Sequence, residues 1–262
     1  MKFLKILFAV LILSSCNNQA SQEINLSEYF RGINGTAVFY NPALNQYKIY
    51  NSDLSAKRSS PCLTFKIMSA YIALSEKIVT PQNSVINWNQ KNYEFPDWNK
   101  DMNIREAIKV SCVWYFRALI DKIPPRTIAT YLQKYQYGNQ DISDWEGNLN
   151  TNAKSSELKG FWIESSLKIS PVEQVNFLAK LFGEKNAAVE NLKEFLSVSD
   201  TPVKIYGKTG LGIKDNLVQE AWFVGFYEKN NQDIYFTVRL DDKQNPIEDY
   251  RHKASQYAKQ IA

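Results

Sequence analysis

Histidine and cysteine are scarce in this chain, and their scarcity excludes several kinds of active site. Among 262 residues there are one histidine, His252, and three cysteines, with no HExxH or CxxC spacing. Metal catalysis is therefore left without a recognisable set of ligands. His252 follows Arg251 on the last predicted helix, where a solvent-facing position is expected, so a Ser-His-Asp mechanism has no support.

Neither sign of charge is concentrated anywhere along the chain. Lysine and arginine together number 31, aspartate and glutamate 27, and the formal net charge is +4. A nucleic-acid-binding face needs a cluster of lysine and arginine, and no such cluster occurs. The sequence therefore predicts no nucleic-acid partner.

The first residues have the pattern of a bacterial export signal. Two lysines precede an apolar run that ends in small residues, "MKFLKILFAVLILSSC", and the run is too short to span a bilayer comfortably. We predict that residues 1–15 form a signal peptide and that Cys16, at the end of a lipobox-like Leu-Ser-Ser-Cys, is acylated. A plain secretory signal is the alternative. Residues 16–28 would tether the folded domain, residues 29–262, to a membrane on the periplasmic side.

Two further cysteines, Cys62 and Cys112, belong to the folded part of the chain. In an oxidising compartment the two thiols could form a disulfide. Two free buried thiols are an equally open alternative.

Strand-like segments occur at both ends of the chain, with helix-like segments between them. Thr36 to Tyr40 and Gln46 to Tyr50 predict a hairpin, and three strand-like runs follow residue 200. Terminal strands of this kind bury their faces by joining one sheet. We predict the α+β class: an antiparallel sheet from roughly 29–60 and 200–262, flanked by helices, with a mostly helical subdomain of roughly 61–199 inserted and a cleft at the junction.

Two of the predicted helices have clear start signals. Ser59 or Ser60 precedes Pro61 at the beginning of an apolar-periodic run that contains Lys66. Ser170 is followed three residues later by a glutamate, which is the spacing of a capping box. The helix that contains Lys66 is expected to be the central one.

Three short signals lie at the edges of predicted elements. They are Lys66, the tripeptide Ser111-Cys112-Val113 and the tripeptide Lys208-Thr209-Gly210. Each signal alone is weak, and a surface lysine is the ordinary interpretation of Lys208. Their order within one exported chain is far more specific, because penicillin-recognising enzymes use a serine and a lysine one helical turn apart, a second hydroxyl and a KTG strand.

The chain resembles the class D, oxacillinase-type, serine β-lactamases over nearly all of its length. The matching stretches are "GTAVFY", "SPCLTFKI", "FPDWNKD", "SCVWYF", "YGNQDIS", "FWIESSLKISPVEQ", "YGKTG" and "WFVGFYE", in that family's order. The resemblance implies a β-lactamase/transpeptidase-like fold with the active site between a sheet domain and a helical domain. It also implies a small-molecule partner, either a β-lactam or a cell-wall peptide.

The resemblance implies a role for each group that handles protons. Lys66 would be the general base, carried as an N-carboxylated lysine formed with CO2 and needing no other cofactor. Val113 would form an apolar wall beside it, and the indole N–H of Trp162 would hold the carbamate, although an ordinary buried tryptophan is the alternative. Ser111 would relay a proton to the leaving nitrogen in the field of Lys208.

The same resemblance implies which groups hold the ligand. Thr209 and Arg251 would bind the substrate carboxylate, Arg251 through a forked pair of hydrogen bonds. Gly210 and Leu211 would line the site, and the backbone N–H groups of Leu63 and Leu211 would form the oxyanion hole. The loop motif Tyr137-Gly138-Asn139 would have a mainly structural role.

The sequence departs from the family pattern at the nucleophile. The family's serine stands three residues before the lysine, and here that residue is Leu63, whose hydrocarbon side chain has no lone pair for attack on a carbonyl carbon. Cys62 and Thr64 are each turned about 100° away on a helix, and Ser111 would have to act as nucleophile and relay together.

Three functional hypotheses therefore follow from the sequence. The first is a class D β-lactamase homologue that is inactive or strongly impaired. The second is a lipid-anchored protein that binds or senses a β-lactam or a cell-wall peptide without chemistry. The third is an active enzyme that uses Ser111 as its nucleophile.

Overall fold

Seven strands form one sheet in the computed structural model, which describes residues 20–198, 203–214 and 217–241. The strands are β1 (Ala20–Glu23), β2 (Gly35–Asn41), β3 (Gln46–Tyr50), β4 (Ser197–Val198), β5 (Ile205–Lys214), β6 (Leu217–Lys229) and β7 (Gln232–Leu240). Their order across the sheet is β1-β3-β2-β7-β6-β5-β4. All neighbouring pairs are antiparallel except β1 and β3, which are parallel. The predicted sheet, built from both ends of the chain, is confirmed.

Eight helices lie within the described residues. They are α1 (Ser27–Phe30), α2 (Ser52–Ser55), α3 (Lys66–Ser75), α4 (Ile104–Lys109), α5 (Val113–Ile120), α6 (Pro125–Tyr135), α7 (Pro171–Phe182) and α8 (Ala187–Leu196), with 3-10 turns at Cys62–Phe65, Pro96–Trp98 and Ser156–Leu158. Most of them come between β3 and β4, as predicted for the helical subdomain. No described helix has the length and apolar character that crossing a bilayer requires.

Two hydrophobic cores lie on the two faces of the sheet. The larger core joins the helices to one face, where α7 packs across β2, β6 and β7. The smaller core covers the other face and includes Phe30 of α1, Phe223 and Phe236. Since α3 contacts α5, α6 and α8 and buries every residue from Lys66 to Leu74, it is the central helix of the larger core.

The start of this central helix differs from the prediction. A serine cap followed by Pro61 was expected to begin one continuous helix, but the 3-10 turn Cys62–Phe65 precedes α3, and Lys66 is the first residue of α3. Cys62 has a left-handed backbone with φ of 47°, a conformation that is uncommon for a residue with a Cβ. Neither predicted serine caps the helix; Ser60 instead donates a hydrogen bond to the carbonyl of Trp162.

Several predictions concern the ends of the chain. Part of the expected tether, residues 16–28, differs from the prediction, because Ala20–Glu23 pairs with β3 at the sheet edge. The predicted signal peptide, Cys16, Arg251 and His252 lie outside the described residues.

The capping box predicted for α7 is confirmed. The Ser170 hydroxyl accepts a hydrogen bond from the Glu173 N–H at 3.3 Å, and a Glu173 carboxylate oxygen accepts one from the Ser170 N–H at 2.9 Å. Two backbone donors that the helix leaves unpaired are thereby satisfied.

We expect Ser170→Ala to lower the free energy of unfolding by about 1 kcal/mol, because one of these donors loses its acceptor. Urea unfolding followed by circular dichroism measures the change. Ser143→Ala, at an exposed loop serine, is the matched control and should be neutral. Equal effects of the two substitutions would contradict the role assigned to this cap.

Candidate active site

Ser111 and Lys208 meet between the helices and the sheet. Ser111 lies in the turn between α4 and α5 with φ of 56°, and Lys208 lies on β5. The Lys208 ammonium donates hydrogen bonds to the Ser111 hydroxyl and, at 3.1 Å, to the Thr209 carbonyl. Both side chains are buried. The structure thus brings together the two tripeptides that the sequence singled out.

Lys66 lies beside the same turn in apolar surroundings. Its side chain is only 1% exposed, and its Nζ is 5.2 Å from the centroid of the Phe116 ring on α5. Burial raises the pKa of the Cys112 thiol to about 11, although the nearby Lys66 charge acts in the opposite direction. Burial of an amine in apolar surroundings disfavours its charged form.

Trp162 and Val113 lie close to these groups. The Trp162 ring stacks on Phe65, the residue before Lys66, with the ring centroids 6.0 Å apart. Val113 is the first residue of α5 and is buried in the larger core. The Trp162 ring thus lies against the residue before Lys66, and Val113 follows Cys112, whose thiol lies within reach of the Lys66 charge.

The edge of the site is a close contact between β5 and the 3-10 turn. A Cβ at Gly210 would lie 2.9 Å from the Thr64 Cγ2 and 3.2 Å from the Pro61 carbonyl oxygen. Only glycine fits this approach without displacement of the turn. The contact holds β5 against the 3-10 turn that carries Leu63.

Leu63 occupies the nucleophile position and is 9% exposed, as part of the larger core. The hydroxyl groups of the nearby residues Thr64 and Ser60 are hydrogen-bonded to groups other than Lys66. The Thr64 hydroxyl donates to the Pro61 carbonyl at 2.7 Å and accepts from Gln174 at 2.9 Å. The Ser60 hydroxyl accepts from the Glu164 N–H at 2.9 Å. These contacts leave neither hydroxyl directed at Lys66.

A largely buried cluster of two carboxylates and a thiol, which the sequence analysis missed, lies behind this turn. Cys62, Glu164 and Glu220 place one donor atom each within 4.8 Å of one another. The Cys62 Sγ is 3.2 Å from Glu164 Oε1 and 3.9 Å from Glu220 Oε1, and Ser59 donates to the other Glu220 oxygen. Burial, followed by repulsion from Glu164, raises the pKa of Glu220 to about 7.

The sequence did hold one signal for this acid–thiol cluster. Glu220 begins the apolar strand run "EAWFVGF", where a carboxylate is unexpected unless it has partners. Within the described residues the cluster is the one group with the donor set of a metal site. Its thiol is hydrogen-bonded to Glu164, and nothing beyond the donor atoms indicates an ion there.

Comparison with known proteins identifies the family. Residues 34–262 match the model of the penicillin binding protein transpeptidase domain. The chain belongs to this family. Its class D β-lactamase-like character is shown by 31% identity to the probable beta-lactamase YbxI of Bacillus subtilis, over 84% of this chain and 79% of that protein.

Receptor proteins of the family are equally similar. The regulatory protein BlaR1 of Staphylococcus aureus is 34% identical over 84% of this chain, and the chain spans 36% of its length. The solved C-terminal domain of the Bacillus licheniformis BlaR penicillin-receptor superimposes with a TM-score of 0.80 at 28% identity, covering 93% of this chain and 96% of that domain.

The family's Tyr137-Gly138-Asn139 motif joins two loops behind the site. The Asn139 N–H donates to the Lys168 carbonyl at 2.9 Å, and the Asn139 side chain accepts from the Lys168 N–H at 2.8 Å. Gly138 has φ of 55°, and a Cβ there would lie 1.9 Å from the Lys168 carbonyl oxygen. The motif therefore fixes the loop that carries Trp162 and Glu164.

Both thiols in the described residues are free and buried, so the disulfide alternative is wrong for this structure. Burial also raises the pKa of Cys62 well above its usual value. We expect neither Cys62 nor Cys112 to react rapidly with Ellman's reagent in a folded Cys16→Ser chain, because both thiols are protonated and enclosed. Two thiols per chain should react in guanidinium chloride without reductant. Fewer than two would indicate a disulfide, and fast reaction of the folded chain would contradict the burial.

Proposed function

We propose that this chain is a class D β-lactamase homologue that binds β-lactams and hydrolyses them very slowly or not at all. One observation carries the proposal: Leu63 stands one turn before Lys66, while the Ser111–Lys208 pair is in place. A site with its proton-handling groups present and no acylated serine is suited to binding without covalent turnover.

Each of the retained polar groups would contact a bound ligand or act on its charge. Lys208 donates to the Ser111 oxygen, so the Ser111 O–H is not used in this bond and would donate to a ligand. Lys208 also supplies a positive field for a ligand carboxylate, beside the Thr209 hydroxyl. The backbone N–H groups of Leu63 and Leu211 need no side chain and would receive a ligand carbonyl oxygen.

Carboxylation of Lys66 belongs to the same proposal. A neutral amine adds to CO2 with loss of one proton, and the apolar surroundings of Lys66 favour that neutral form. Leu63 adds hydrocarbon to these surroundings, so the carbamate would persist even without acylation.

The second candidate function is a receptor for a β-lactam or a cell-wall peptide. It is supported by the similarity to BlaR1 and to the BlaR penicillin-receptor domain. We propose for this case that the chain is exported and held on the outer side of a membrane by a lipid on Cys16, after removal of residues 1–15. Such a receptor would respond to the bound β-lactam or peptide itself, without hydrolysing it.

We expect Leu63→Ser to raise the rate of hydrolysis of a chromogenic cephalosporin, measured with bicarbonate present, by on the order of a thousandfold or more. The substitution restores an attacking oxygen one turn from Lys66. Leu63→Ala is the matched control, because it creates the same space without a nucleophile. Equal rates for the two variants, or rapid turnover by the unmodified chain, would refute the proposal.

Intact-mass spectrometry after exposure to a penicillin separates the third hypothesis, an active Ser111 enzyme, from the first two. In samples quenched with acid during turnover, we expect no added mass on the unmodified chain and one penicilloyl adduct on Leu63→Ser, because only the variant can form the ester. Peptide mapping locates any adduct. An adduct at Ser111 in the unmodified chain would establish the third hypothesis instead.

A further inference from the structure

The acid–thiol cluster of Cys62, Glu164 and Glu220 lies against both backbone segments of the candidate oxyanion hole. Cys62 directly precedes Leu63. Gly212, directly after Leu211, is so close to the cluster that a Cβ there would lie 2.1 Å from Glu164 Oε1 and 3.1 Å from the Cys62 Sγ. The Glu164 carboxylate therefore packs on β5 and on the 3-10 turn at once.

Glu220 completes the cluster from the next strand. It pairs in register with Gly212 across β5 and β6, it is buried, and the Ser59 hydroxyl donates to one of its oxygens. The buried Glu220 carboxylate is thus held close to the half-buried Glu164 carboxylate. Ionisation of both near neutral pH is disfavoured, because Glu220 is poorly solvated and the two negative charges repel each other.

The other charged groups around the cluster do not offset the repulsion between the two carboxylates. Arg239 and Lys168 act on Glu220 as nearby positive charges, but the Arg239 guanidinium donates to the Lys57 carbonyl at 2.7 Å and to the Leu54 carbonyl at 3.4 Å. Burial and both carboxylates raise the pKa of the Cys62 thiol, so the thiol stays neutral and contributes no charge.

We propose that Glu164 and Glu220 share one proton, and that this proton positions the backbone at Leu63 and Leu211 for the ligand carbonyl. The protonated pair holds Glu164 against Gly212 and Cys62. When the proton is lost, repulsion drives the half-buried Glu164 away from Glu220 and loosens the contact between β5 and the turn. Glu164 and Glu220 are positioning residues that act through the backbone and do not touch the ligand.

This inference rests on the proposed function for its effect on binding, but the shared proton can be tested without any ligand. A carboxyl group whose pKa is raised on folding stabilises the protein fully only below its ordinary pKa. That stability is lost as the pH rises through about 7, the pKa of Glu220 in the folded chain.

The first experiment follows urea unfolding from about pH 5 to about pH 8.5. We expect the free energy of unfolding of the unmodified chain to fall over this range and that of Glu220→Gln to change much less, since the amide imitates the protonated acid. Glu228→Gln, an exposed glutamate on the same strand, is the matched control and should keep the fall. Glu164→Gln provides a second variant if Glu220→Gln folds poorly. The same pH dependence in all four proteins would overturn the shared proton.

The second experiment measures penicillin affinity by calorimetry over the same pH range. If only the protonated pair is competent to bind, Kd rises by up to about tenfold per pH unit above about 7, while Glu220→Gln binds with little pH dependence. Above that pH, binding by the unmodified chain should take up close to one proton, measured by the dependence of the heat on the buffer. A flat Kd for the unmodified chain would overturn the positioning role.

The two experiments also separate this inference from the proposed function. Absence of penicillin binding at every pH would refute the proposed function and the positioning role together, while the unfolding data still decide the shared proton. A zinc ion that stabilises the unmodified chain stoichiometrically, but not Cys62→Ser, would overturn the inference. Cys112→Ser is the control for that comparison, because it removes the other buried thiol.

Discussion

The hydrogen bond from Lys208 to Ser111 is the interaction on which the site depends, because it joins the sheet to the helices at a buried ammonium. A buried cation is costly unless polar groups accept its protons. Here a serine in a left-handed backbone turn and the carbonyl of Thr209 provide these acceptors. Since Lys208 is fixed in β5, its hydrogen bond also fixes the turn that carries Ser111. Lys66 and Trp162 are buried in the same part of the larger core.

Leu63 fits this arrangement without disturbing it. The residue lies in a 3-10 turn that is held by backbone and neighbouring side chains, including the contact between Gly210 and Thr64. Leu63 belongs to the larger core, and the hydrogen bond between Lys208 and Ser111 is formed beside it. The packing around the site is therefore complete with a leucine at the position where the family pattern has a serine.

Periodicity and cap signals were sufficient for most of the architecture. The hairpin, the capping box of Ser170 and the sheet built from both chain ends follow from local patterns that tertiary packing reinforces. The start of α3 was predicted less well, because Ser60 bonds to Trp162, about a hundred residues away, instead of capping the helix. Such contacts between distant segments leave no mark in local sequence.

The site was partly predictable for the same reasons. Short motifs placed Ser111 near Lys208, but the acid–thiol cluster combines residues from a turn, a loop and a strand. Its members are individually ordinary, and only the fold brings Glu164 to Glu220. Burial and mutual repulsion, which give the cluster its chemistry, are properties of three-dimensional proximity and cannot be read from spacing.

The strand order separates the beginning of the described chain from the candidate active site. β1 forms one edge of the sheet, whereas β5, which carries Lys208, is five strands across. With neighbouring strands about 4.8 Å apart, this is a separation of about 24 Å. β1, where the described chain begins, therefore lies far across the sheet from the hydrogen bond between Lys208 and Ser111, and nothing bound at β1 would contact that pair.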